Sequence, residues 1–87
     1  MGLEILEIRM WAEERFSLKI SNKEAREIST VGEFAQYISA NSKPAFHPHS
    51  DYEAVYDMLV DLLVSKYNIP RESIVETSLL YADLGLG

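Results

Sequence analysis

The segment Ile28-Ser29-Thr30-Val31-Gly32-Glu33-Phe34-Ala35-Gln36-Tyr37-Ile38 carries its own start signal and its own buried face. Thr30 with Glu33 is a T-x-x-E capping box, in which a hydroxyl and a carboxylate each take one orphan helix amide. Val31, Phe34, Ala35 and Ile38 then fall on one side of a helix. Gly32 in the first turn weakens that helix slightly. The spacing predicts a helix that ends near Asn41 and buries one apolar stripe.

Upstream the same logic repeats. Ser21 with Glu24 is another capping box, opening a helix of one to two turns through Ala25 and Ile28. Ser17-Leu18-Lys19-Ile20 reads as a short extended connector. Before it, Leu3, Ile5, Ile8, Ala12 and Phe16 recur at three- and four-residue steps, predicting a helix over Leu3–Phe16. Leu6 and Met10 form a second apolar strip beside that stripe, and Trp11 either fills interior space or covers the surface.

Downstream, Pro44 and Pro48 forbid a continuous helix, so residues 42–50 read as a linker. Ser50 with Glu53 suggests a third capping box, and the longest helix follows to about Tyr67. Its expected buried face is Val55, Met58, Leu59, Leu62 and Leu63; Asp51, Glu53, Asp57 and Asp61 stay outside. Asn68 and Pro70 stop it. Residues 70–87 read as a long ordered loop with turns near 71–74 and 79–82, pinned by Ile69, Ile74, Val75, Leu79, Leu80, Tyr81 and Leu84. There is no internal repeat and no alternation long enough for a sheet, so the fold class is a small all-α bundle.

Composition narrows the function. Eighty-seven residues make one small domain, and 47% apolar residues suffice for a core. The absence of cysteine removes disulfides and thiolate metal sites, and it fits a reducing, cytoplasmic setting. No apolar run reaches the roughly 20 residues of a membrane span. The net charge of −6 argues against nucleic acid and suits basic partner surfaces. That charge is concentrated in residues 45–87, with two basic and seven acidic side chains against six and seven in residues 1–44. His47-Pro48-His49 is a poor metal site without clustered carboxylates, and no metal is expected. Nothing resembles a phosphate loop or a nucleophile with its base, so no enzyme is expected.

Several blocks together resemble acyl carrier proteins. They are Glu13-Glu14-Arg15-Phe16, Ile20, Glu24-Ala25 and Ile28-Ser29-Thr30-Val31-Gly32, then Val64-Ser65-Lys66-Tyr67-Asn68-Ile69, Ile74 and Asp83-Leu84-Gly85. The blocks stand in circularly permuted order. Residues 1–41 match the family's second to fourth helices, and residues 51–87 match its first helix and long loop. The resemblance implies a four-helix bundle of three long helices and one short. It also implies a carrier of acyl groups on 4'-phosphopantetheine in fatty acid or polyketide-type biosynthesis. By the family's register Met1 takes an aspartate position and Gly2 the position of the attachment serine, so the chain is expected not to be modified as written. Of nine other serines, Ser78-Leu79 is the nearest lookalike and reads as a turn residue.

The resemblance also implies partners: synthase or acyl-transfer enzymes and a phosphopantetheinyl transferase. Glu4, Glu7, Glu13 and Glu14 would face them, with Leu6 and Met10 beside, although a solvated helix face explains the same carboxylates and ordinary packing against the long loop explains Leu6 and Met10. Arg9 and Arg15 depart from the family's acidic pattern. Ala25 and Ile28 match positions that border the family's acyl-chain tunnel, and ordinary core packing explains them too. A monomer is expected, with an exchanged dimer through an extended linker as the alternative. The competing function is a helical protein-interaction module that carries no prosthetic group. The ends of the chain are expected to lie together and to fray at Leu3, Glu4 and Leu86–Gly87.

Overall fold

The computed structural model describes residues 3–41 and 51–86. The linker, its two histidines, Ser50, Met1, Gly2 and Gly87 lie outside the described residues, and with them the expectations placed there. The elements are α1 (Leu3–Phe16), α2 (Asn22–Glu27), α3 (Val31–Asn41), α4 (Tyr52–Tyr67) and a 3₁₀ turn at Arg71–Ser73. This is the all-α bundle expected, with three long helices and one short. Among the described residues the sole extended pairing is an isolated bridge between Thr30 and Leu79.

The helix starts follow the capping signals. Ser21 accepts from the Glu24 amide and Glu24 returns the bond to the Ser21 amide. Thr30 Oγ1 accepts from the Glu33 amide, while Glu33 accepts from the amides of both Ser29 and Thr30. The α4 start differs from expectation: Asp51 is the cap, its carboxylate accepting from Ala54 N at 2.9 Å. Asp51 and Ser50 are both good caps, and spacing alone does not separate neighbours. Asn68, at φ 57°, closes α4 in the left-handed region.

The core joins Ile8, Ala12 and Phe16 of α1 to Val31, Phe34, Ala35 and Ile38 of α3 and Val55, Leu59, Val60 and Leu63 of α4. The buried stripe of α4 therefore includes Val60, and Met58 and Leu62 are only half-buried. Those two residues line a surface groove with Trp11 and Arg15 of α1. Trp11 is half-buried there, edge-on to Phe16 at 5.7 Å.

Residues 74–86 lie against the α2–α3 junction. Val31 N donates to Ser78 O, Gly32 N to Glu76 O, and Leu80 N to Ser29 O, at 2.9–3.1 Å. Ile74 and Leu80 are buried beneath the loop, whereas Val75, Leu79 and Tyr81 are exposed. Leu86, expected to fray, is 1% exposed and belongs to the core. Its amide donates to Leu80 O after Gly85 turns the chain at φ 71°.

Candidate functional site

Residues four apart on a helix stand above one another, so α1 divides into faces. Ile8, Ala12 and Phe16 point inward. Leu6 and Met10 point outward at 39% and 51% exposure, so they do not pack beneath the loop. Glu7 and Glu14 are also exposed, while Glu4 and Glu13 are half-buried.

The flanks of α1 are tied down by polar bonds. On one side Arg9 Nη1 donates to Asn22 Oδ1, and Ile20 N donates to Glu13 Oε2, both at 2.9 Å. Glu13 thus closes the connector between α1 and α2. On the other side the Tyr67 hydroxyl donates to Glu7 Oε1 at 3.1 Å. Burial, and then this bond to Glu7, push the Tyr67 phenol up to about 12. The carboxylates expected on a partner face therefore divide into exposed Glu7 and Glu14 and more enclosed Glu4 and Glu13.

Between α1, α2 and the 79–82 turn lies an apolar cleft of about 380 Å³, lined chiefly by Ile5, Ala25, Ile28, Leu79, Leu80 and Tyr81. Ile5, Ala25, Ile28 and Leu80 also line a smaller void behind it, whose floor adds Ile20 and Phe34. Ala25 and Ile28 are half-buried and shared by both spaces, so the structure joins these two expected residues to loop residues that the sequence signalled only as pins to the core. The volume lies at the small end of ligand clefts.

A second, more open groove of about 650 Å³ brings together Glu24, Glu27, Glu33, Glu76, Tyr37 and Tyr52. Glu33 is held below the usual carboxylate range by the Ser29 and Thr30 amides, and Glu24 by the Ser21 hydroxyl and then Tyr37. These two carboxylates are thereby committed to helix caps. Among the described residues no group of three or more metal-ligating side chains is placed to hold an ion. No described helix is long and apolar enough to cross a membrane.

Ser78 is buried; its hydroxyl accepts from Val75 N at 2.9 Å and lies 3.3 Å from the Ser73 carbonyl, to which it donates. It is a turn residue, unavailable for modification. Asp83, in the Asp83-Leu84-Gly85 turn, accepts from Leu79 N through Oδ2 at 2.8 Å.

Part of this chain is similar to an acyl carrier protein. One match, to the protein of that name from Wolinella succinogenes, is 41% identical over 40 residues, 46% of this chain and 53% of the relative. This chain thus spans about half the length of that relative. No family model matches it, and no solved structure does.

Proposed function

We propose that this chain is a non-catalytic, cytoplasmic acyl-carrier-like domain with its two halves in circularly permuted order, 1–41 and 51–87 joined by 42–50. The observation that carries the reading is the 41% identity to an acyl carrier protein in a chain that forms an all-α bundle. The permuted order rests on the order of the sequence blocks. Leu86, from the second half, shares one core with Ile8 and Phe34 from the first, as a single domain of either order requires. Glu4, Glu7, Glu13, Glu14, Leu6 and Met10 would meet synthase and transferase surfaces, and the cleft at Ala25 and Ile28 would take part of an acyl chain.

The residues present do not fit 4'-phosphopantetheine. Gly2, at the attachment position, has no hydroxyl to form the phosphodiester, and Ser78 is buried and hydrogen-bonded. In this register Gly2 stands where the family has its attachment serine.

The test is repair. A chain with Met1→Asp and Gly2→Ser, incubated with coenzyme A and a permissive phosphopantetheinyl transferase, should gain the mass of one phosphopantetheine, and the unaltered chain should gain none. A folded, repaired chain that stays unmodified would sink the carrier reading. It would favour the interaction-module reading.

A further inference from the structure

In the proposed reading the attachment position directly precedes α1, and Glu4 and Glu7 stand in its opening turns. That end of α1 is tied to the far half of the chain. Tyr67, the last residue of α4, places its hydroxyl 3.1 Å from Glu7 Oε1 and 3.5 Å from the Glu4 carbonyl oxygen. A phenol has one proton to donate, so the shorter contact to the carboxylate is the principal bond. The Tyr67 ring is half-buried, and the Lys66 ammonium lies 5.7 Å from its centroid. Immediately beyond, left-handed Asn68 returns its amide to Leu63 O. The phenol therefore projects from a closed helix end. The bonds through Arg9 and Glu13 act farther along α1 and toward α2.

We propose that Tyr67 is a positioning residue of the carrier site, holding the Glu7 carboxylate and the opening turns of α1 in the arrangement that a basic partner surface meets. This rests on the carrier reading. An exposed glutamate samples many rotamers, and a partner must order it on docking. Ordering it beforehand through Tyr67 removes that cost without adding any contact to the partner.

The test uses the repaired chain, a phosphopantetheinyl transferase and coenzyme A. Tyr67→Phe keeps the ring and removes the hydroxyl. It should raise the KM for the protein roughly three- to tenfold, with kcat changed less than about twofold. Glu7→Ala should also raise KM, and the double variant should raise it by clearly less than the two single effects combined, because the carboxylate being positioned is already gone. A purely structural tyrosine would instead give independent, additive losses. An unchanged KM in Tyr67→Phe, or additivity in the double variant, overturns the proposal.

A second arm does not depend on the carrier reading. In the chain as it stands, Tyr67→Phe should speed amide hydrogen exchange at Glu7 and Ile8 several-fold while leaving α3 amides unchanged. If the repaired chain is never loaded, the carrier reading fails and this arm alone judges Tyr67. Unchanged exchange at Glu7 and Ile8 overturns the positioning role, and faster exchange confined to α1 upholds it.

Discussion

Two glycines hold residues 74–86 in place for opposite reasons. Gly85 is left-handed at φ 71°, and nothing lies within 4 Å of where a Cβ would stand. Its constraint is conformational. Gly32 sits in the first turn of α3, where a Cβ would lie 2.9 Å from Glu76 O and 3.2 Å from the Tyr52 hydroxyl. Its constraint is space, since the loop backbone closes directly on it. Gly85→Ala should therefore cost about 1–2 kcal/mol through strain, and Gly85→Asn should cost less, because asparagine tolerates the left-handed region. Gly32→Ala should cost about 1–3 kcal/mol by pushing the loop away, and Gly32→Asn should cost more still. Urea midpoints of the four variants check both claims. Asparagine better than alanine at position 32, or worse at 85, would reverse the assignments. The sequence signals Gly32 only as a poor helix former, because the atom that requires it belongs to residue 76.

At the scale of elements, the helices were legible because their signals are local. The Ser21/Glu24 and Thr30/Glu33 boxes operate over three residues, and both form as read. The loop pins were less legible. Whether Val75 or Leu86 is buried depends on backbone bonds to Ser29, Val31 and Gly32, more than 40 residues away. The site shows the same division: Glu7 and Glu13 read as surface charges, yet their bonds reach Tyr67 and Ile20. The α3 cap gives a pH prediction. The amides of Ser29 and Thr30 hold the Glu33 carboxyl below its ordinary value of 4.5. A lowered folded value means that the carboxylate supports the fold above about pH 4.5, and that this support is lost as pH falls through the folded value. Glu33 is exposed, so solvent screening limits the effect to about a few tenths of a kcal/mol. Glu33→Gln, which keeps an acceptor but does not ionise, should flatten that part of the acid limb in a stability–pH series. An acid limb identical to that of the parent chain would refute the assignment.

At the scale of the molecule, the permuted reading makes a claim about chain order that packing can test. A core records which side chains meet, and chain order enters only through the entropy of the connections. That entropy changes slowly, by about 0.6 kcal/mol for each doubling of loop length. If the two halves form one carrier-like core, a chain running Asp51 to Gly87 and then Met1 to Asn41 should fold to the same bundle. The junction Gly87-Met1-Gly2 gives four Cα–Cα steps between Leu86 and Leu3, a reach of at most roughly 15 Å. The expected outcome is a monomer with the same helix content, stable to within about 2 kcal/mol of the parent. Leu86→Ala should destabilise both orders alike, by about 2–5 kcal/mol, since Leu86 is fully buried. That is a large share of the about 4–13 kcal/mol expected for a domain of this length. A reordered chain that is unfolded, or that tolerates Leu86→Ala where the parent does not, would mean that the order 1–41 before 51–87 is a requirement of this fold. The permutation would then have to be abandoned, even though the bundle stands.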